Sequence, residues 1–172
     1  MDKLDILQKQ KQLDPMKVGV DPVRPHLDIM FRTSKGREIF GLMNSDISRA
    51  DGSFVDVPLA ICCVAYCNEV PKNEQELDDF STPDGSIAVA YTVWSTGWRK
   101  GAGRDIIFAI RDDLMKVPGV DRLVTLSPLT DMAFKFHTKN GATLFGMATA
   151  LIMDPYCIPK INYQLGEGYA VC

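Results

Sequence analysis

Short runs of apolar residues, separated by polar stretches rich in Asp, Ser, Gly and Pro, dominate the first 95 positions of the chain. Runs of this length predict strands, and we place three of them at residues 38–43, 58–66 and 86–94. The second run, PLAICCVAY, has no polar alternation, which is typical of a strand covered on both faces of its sheet. The intervening stretches, 44–56 and 68–85, carry a D-G turn signal and two prolines, and we expect them to be loops.

The spacing of the apolar positions changes after residue 100. Between residues 103 and 116 they recur every three or four positions, which predicts an amphipathic helix that ends at Pro118 and Gly119. The remaining predicted elements are a strand at 122–127, a helix at 128–139, a long strand at 142–153 and a last short strand at about 158–165. Because a strand, a helix and a strand follow one another here, the two strands are expected to pair in parallel through a right-handed crossover.

The order of the elements predicts a mixed α/β (α+β) fold. The earlier strands, which only loops connect, are expected to be antiparallel neighbours, so the sheet is mostly antiparallel. The largely polar residues 4–13 are predicted to form a short helix, and three prolines then keep the chain extended or turning. We therefore divide the chain into an N-terminal extension, residues 1–37, and a single domain, residues 38–172, which is long enough to bury one core.

Composition and charge exclude several classes of function. The chain is 46% hydrophobic and 24% charged with a net charge of −3, which disfavours a nucleic acid as partner because such binding needs clustered Lys and Arg. No apolar run reaches the roughly 20 residues of a membrane helix, and the first residues have no signal-peptide core. These features predict a cytoplasmic protein without a membrane partner, and they allow a homodimer.

The cysteines and histidines do not form a metal-binding pattern. Five cysteines, two of them adjacent at Cys62 and Cys63, include no C-x-x-C pair, and neither histidine has other ligands nearby in the sequence. Buried, reduced thiols and the absence of a metal are therefore expected.

A glycine-bearing segment, GWRKGAGR, lies between the strand at 86–94 and the helix that follows. Glycine lets the backbone approach a bulky anion, and free amides at a helix start attract phosphate. No Ser, Thr, Asp or Asn between 97 and 103 is available to cap these amides, and Arg99, Lys100 and Arg104 add positive charge. The segment is neither a Rossmann fingerprint nor a P-loop. It is either a pyrophosphate-binding loop or a tight turn whose amides are hydrated.

This segment resembles the acyl-CoA loop of the GNAT superfamily, the acyl-CoA N-acyltransferase fold. Gly101 and Gly103 stand at the two small positions of the family pattern, while Trp98 replaces its usual Gln or Arg. The resemblance implies a twisted, mostly antiparallel sheet with a splayed parallel pair and an acyl-CoA as the small-molecule partner. The residues that it implies for CoA binding are Thr92, Val93, Trp94, Trp98, Arg99, Lys100, Gly101, Ala102, Gly103, Arg104 and Asn140.

A narrower resemblance, over about residues 38–165, is to the catalytic domain of malonyl-CoA decarboxylases, itself a GNAT fold. It rests on PLAICCVAY, on the L-S-P that contains Ser127, and on the F-H-T-K-N-G-A that contains His137. The family separates its serine and histidine by a long insertion, whereas nine residues separate them here. The resemblance implies Ser127 and His137 as catalytic residues, with malonyl-CoA or acetyl-CoA as substrate.

Each of these two residues also has an ordinary structural interpretation. Ser-Pro is a strong helix start, which makes Ser127 a candidate N-cap of the helix at 128–139. His137 lies at the edge of the apolar face of that helix, where a buried histidine with satisfied hydrogen bonds is common. The functions left open are decarboxylation of a malonyl-type thioester, acyl transfer to an amine, binding of CoA without catalysis, and plain nucleotide or anion binding that ignores the acyl group.

Overall fold

The chain folds around one central sheet in a computed structural model that describes residues 5–9, 18–48, 51, 54–127, 130–140, 142–145 and 150–153. The strands are β1 (Asp5–Lys9), β2 (Glu38–Ser48), β3 (Phe54–Cys67), β4 (Ile87–Ser95), β5 (Arg122–Leu126), β6 (Ala142–Phe145) and β7 (Ala150–Met153). The helices are α1 (Ile29–Thr33), α2 (Glu74–Phe80), α3 (Ala102–Leu114) and α4 (Asp131–Lys139).

The sheet is mixed, as the sequence predicted. The strands lie in the order β1-β2-β3-β4-β5-β7-β6, and every neighbouring pair is antiparallel except β4 and β5. Helix α3 is the crossover between these two parallel strands. The predicted strand–helix–strand unit is therefore confirmed, and it places the glycine segment at the carboxyl end of β4.

Two apolar clusters cover the two faces of the sheet. Successive residues of β3 alternate between them, so that Cys62 and Val64 pack with α3 on one face while Ile61 and Cys63 face the other. On that second face α2 contributes Leu77. Because β3 is buried on both faces, its unbroken apolar run is explained. Cys62, Cys63 and Cys67 are buried and reduced, as expected.

The pairing of β4 changes halfway along the strand. On the side of β3, Cys63 pairs with Thr92 and Val64 with Ala90, so Tyr91 is an extra residue that forms a β-bulge. On the side of β5, the parallel pairing ends at Ala90 and Thr125, although β4 continues to Ser95. The carboxyl half of β4 is thus free of direct pairing with β5, and the cavity described below lies there.

Several local predictions were wrong. Residues 5–9, expected to be helical, form β1, because pairing with β2 overrides the weak helical preference of a short polar segment. The expected strand at 142–153 is instead two antiparallel strands, β6 and β7. Helices α1 and α2 were taken for irregular chain, and the strand expected at about 158–165 lies outside the described residues. None of the helices described is long and apolar enough to cross a membrane.

Candidate functional site

A cavity of about 310 Å³ lies where β4 and β5 separate, between their carboxyl ends, the start of α3 and one face of α4. Its lining is mostly apolar and includes Trp94, Leu126 and Phe136. The polar residues of its lining include Thr92 on β4, Ser127 after β5 and His137 on α4. An apolar cleft with a few convergent polar groups has the form expected of a small-molecule site.

Ser127 lies in this cavity rather than capping the helix that follows it. Helix α4 begins at Asp131, and its N-cap is Thr130, whose hydroxyl accepts a hydrogen bond from the Ala133 amide at 3.2 Å. The predicted helix start at 128 was therefore wrong, since Thr130 takes the capping role that Ser-Pro suggested for Ser127. Ser127 is buried, with 6% of its surface exposed.

His137 is the buried residue of α4 and lines the same cavity. Only 6% of its surface is exposed, and within the described part of the chain its Nδ1 atom has no hydrogen-bond partner. Burial lowers the pKa of His137 to about 4 from its ordinary value near 6.5, because an apolar environment disfavours the imidazolium. The ring is therefore neutral at pH 7 when the cavity holds no ligand.

The lowered pKa of His137 predicts a loss of stability in acid. Between about pH 6.5 and pH 4 the unfolded chain binds a proton at His137 that the folded protein does not, so the free energy of unfolding falls as the pH falls. We expect this loss to reach about 3 kcal/mol in the wild type and to be absent in H137Q. Urea unfolding of both proteins at pH 7 and pH 4.5 measures it, and parallel changes in the two midpoints would contradict the assignment.

Thr92 adds a second buried polar atom without a partner. Its side chain is 2% exposed, and its hydroxyl has no hydrogen-bond partner among the described residues. Unpartnered buried polar atoms are rare in folded proteins and call for a ligand or a water molecule. Thr92 and His137 both line this one cavity, although the two atoms themselves are shielded from solvent.

The start of α3 lies beside this cavity and has no side-chain cap. The N-cap residue is Gly101, whose φ of +82° is in the left-handed region that favours glycine, and a glycine has no side chain with which to cap the helix. Gly103, in the first turn, lines the cavity and has Phe136 as its nearest neighbour. A 13-residue helix therefore directs its first amides and the positive end of its dipole toward the cavity rim.

Most of the other residues predicted to bind CoA do not line the cavity. Trp98 is 65% exposed and Lys100 is also exposed, whereas Arg99 donates to Asp105 at 2.8 Å within the first turn of α3. Arg104 lies over the ring of Phe108. The side-chain amide of Asn140 donates to the Phe136 carbonyl at 2.7 Å. Val93 lines the cavity, and Ala102 is buried against the sheet.

The cavity also contains residues that sequence reasoning missed. Pro22 and Val23, which come from the predicted extension, line it, and so do Tyr91 and Leu126. Met132 of α4 also lines it, with 80% of its surface exposed. No local signal marks Pro22 and Val23 as site residues, because their contact with residues about 70 positions later exists only in the folded chain. Across the described segments, no group of three or more acidic, Cys or His residues could hold a metal ion.

No protein-family model matches the sequence, and comparison with curated proteins finds none that is similar. Solved structures do match. The malonyl-CoA decarboxylase from Rhodopseudomonas palustris is 21% identical over 83% of this chain, with a TM-score of 0.53. The Y145F mutant of KacT is 10% identical over 84% of this chain and 92% of its own, with a TM-score of 0.51. AtaTR, solved bound with AcCoA, is 13% identical over 86% of this chain and 91% of its own, with a TM-score of 0.50.

These matches establish the architecture. The chain covers 36% of the length of the Rhodopseudomonas decarboxylase, so it corresponds to about a third of that enzyme. Together with the mixed sheet and its parallel pair, the matches show that the chain has the GNAT fold, which confirms the fold class that the glycine segment predicted.

Proposed function

We propose that this protein is an enzyme that binds an acyl-CoA with its thioester in the cavity between β4 and β5. The observation that carries the proposal is the position of the cavity: one apolar cleft holds Ser127, His137 and Thr92 and opens beside the uncapped start of α3. The acyl thioester and pantetheine would lie along residues 92–94, and the diphosphate would lie on the amides of residues 98–104. This reading makes residues 38–172 the acyl-CoA-binding domain, and Pro22 and Val23 of the extension contribute to its cavity.

The polarity of the site supports this arrangement. A volume of about 310 Å³ is at the lower end for ligand sites, so it suits the acyl thioester alone, and the nucleotide would remain outside. The amides at the start of α3 favour an anion, and Lys100 and Arg104 are exposed near them. Arg99 is engaged with Asp105, so it would bind phosphate only by sharing or exchanging that partner.

Decarboxylation of a malonyl-type thioester is the reaction that the cavity supports best. Loss of CO2 breaks the bond between the α-carbon and the carboxylate, and the electron pair moves into a thioester enolate. An apolar cavity offers the carboxylate little solvation, which favours its conversion to CO2. The hydroxyls of Ser127 and Thr92 are the donors that would stabilise the enolate oxygen.

His137 would then deliver the proton that the α-carbon requires. Its ring is neutral in the empty cavity, but a bound carboxylate favours the imidazolium and raises its pKa. The anionic substrate would thus bring His137 toward the protonated state in which it can act as an acid. After CO2 leaves, transfer of that proton to carbon gives acetyl-CoA, and solvent reprotonates His137, so one proton is consumed in each turnover.

A second candidate is acyl transfer from an acyl-CoA to an amine. It is favoured by the neutral state of His137, which could accept the proton of an attacking amine, and by the close match in length to AtaTR and KacT. In this reaction His137 would be a base rather than an acid, and acetyl-CoA rather than malonyl-CoA would be the donor.

Incubation with malonyl-CoA distinguishes these reactions. We expect release of CO2 and accumulation of acetyl-CoA in equal amounts, measured by chromatography of the CoA esters, together with thermal stabilisation by acyl-CoA. If malonyl-CoA is unchanged while acetyl-CoA is consumed on a panel of amines, the transferase is correct. If acyl-CoA binds and neither reaction occurs, the protein binds CoA without catalysis; if no CoA ester binds, the proposed site is wrong.

A further inference from the structure

The segment Asp21–Arg24 inserts a buried cation into the gap between β4 and β5. Arg24 is 7% exposed, and one of its terminal nitrogens, Nη1, donates to the carbonyl of Tyr91 on β4. The other, Nη2, donates to the carbonyl of Leu126 on β5 at 3.2 Å. A single guanidinium therefore bridges the two parallel strands from the N-terminal part of the chain.

The position of this bridge along the strands is informative. Direct backbone pairing of β4 with β5 ends at Ala90 and Thr125, and Tyr91 and Leu126 are the next residues on the two strands. Neighbouring strands lie about 4.8 Å apart when they bond directly, so placing a planar guanidinium between two carbonyls requires a wider gap. The strands thus separate at the residues that Arg24 bonds, and those residues line the cavity.

A buried network fixes Arg24 in this position. The carboxylate of Asp21 accepts from the amides of Val23 and Arg24 at 2.7 and 3.0 Å, which folds the segment into a turn. Arg32, itself buried, donates to that carboxylate at 2.7 Å and to the Arg24 carbonyl at 2.8 Å. Glu74 of α2 accepts from Nε of Arg24 at 2.8 Å. Charge and hydrogen bonds are thus matched around a guanidinium that bonds two residues of the cavity lining.

We propose that Arg24 is a positioning residue for the acyl-CoA cleft, which holds β4 and β5 apart where the acyl thioester binds. This inference rests on the proposed function, because it assigns Arg24 a role in the same site. It makes the segment Asp21–Arg24 part of the binding site. Pro22 and Val23 form one wall of the cavity, and the Arg24 guanidinium sets the distance between β4 and β5. The role depends on the shape of the guanidinium and not on its charge.

Substitutions at Arg24 test this role. Lysine keeps the positive charge but cannot reproduce the planar set of donors of a guanidinium. Methionine removes both the charge and the donors. We expect R24K and R24M each to weaken acetyl-CoA binding at least 10-fold by calorimetry, while the affinity for adenosine 3′,5′-bisphosphate, which would bind outside the cleft, stays within twofold. An R24K protein that binds acetyl-CoA as tightly as the wild type would overturn the inference.

Arg37 supplies a matched control. It is also buried, at 2% exposed, and bonds to Asp78 and Ser81 away from the cavity. R37K is expected to lose stability comparably to R24K and to keep its affinity for acetyl-CoA. If R24K and R37K lower the affinity equally, Arg24 has only a general structural role and the inference fails.

Two further results separate the inference from the function on which it rests. Wild-type protein that does not bind acetyl-CoA refutes the proposed function, whereas normal binding with an unaffected R24K refutes only the role of Arg24. If R24M does not fold, R24K and D21N decide the matter. D21N removes the charge that orients the turn before Arg24, and we expect it to weaken acetyl-CoA binding by a smaller factor than R24K. Unchanged binding by folded D21N and R24K would overturn the inference.

Discussion

H137Q is expected to lower kcat for malonyl-CoA by a factor between about 10² and 10⁴, the usual contribution of a positioned general acid or base. Glutamine has a similar size and keeps polar atoms in the cavity, but it does not transfer a proton near neutral pH. Binding should change little, because the proposed contacts to the nucleotide and pantetheine lie on β4 and α3. Steady-state kinetics and calorimetry with acetyl-CoA measure the two effects separately.

The second histidine of the chain is the control for this substitution. His26 is 59% exposed on its side chain and contacts Glu74 at the surface, outside the cavity lining. H26Q should therefore keep kcat within about twofold of the wild type, a range typical of surface changes. Equal activity in H137Q and the wild type would remove His137 from the chemistry and would leave CoA binding as the only proposed role of the cavity.

G103D is expected to weaken acyl-CoA binding by about 100-fold, because a carboxylate in the first turn of α3 would stand against the diphosphate. The same change should stabilise the fold. An acidic side chain at a helix start is favourable by about 0.3–1 kcal/mol, and replacing a helical glycine reduces the entropy of the unfolded chain. Opposite effects on stability and on binding are difficult to attribute to misfolding, so this variant tests the diphosphate position directly.

G103A isolates the contribution of the charge. A Cβ atom at this position would meet the Phe136 ring at 3.8 Å, an ordinary van der Waals contact. The alanine variant should therefore gain about 0.5–1 kcal/mol in stability and keep its acetyl-CoA affinity within about threefold. Thermal unfolding and calorimetry on both variants provide the comparison. If G103D binds acetyl-CoA as tightly as G103A, the diphosphate does not lie at the start of α3.

The two proposals make different parts of the cavity responsible for different steps. Thr92, Ser127 and His137 would act on the acyl group, and the start of α3 would bind the diphosphate. Arg24 would set the width of the gap between β4 and β5. Each part has its own variant and its own readout, namely turnover for His137, nucleotide affinity for Gly103 and thioester affinity for Arg24. A failure in one part therefore leaves the others testable.

Local pattern was sufficient for the central architecture. The apolar run at 58–66 predicted a strand buried on both faces, and the helical spacing of Ile106, Ile107 and Ile110 predicted α3. These predictions succeed because the period of apolar residues directly reflects which faces of an element are buried. A prediction without such a pattern, the helix at residues 4–13, was wrong at residues 5–9 because pairing with a distant strand decided the outcome there.

The candidate site shows the same division between local and long-range information. The resemblance to known families indicated Ser127 and His137, and the residues themselves indicated the glycine segment as a possible anion site. The composition of the cavity required the folded chain, because Val23, Tyr91 and His137 are far apart in sequence and meet only where β4 and β5 separate. The neutral state of His137 and the strand bridge made by Arg24 likewise depend on burial and on contacts between distant segments, which no short stretch of sequence encodes.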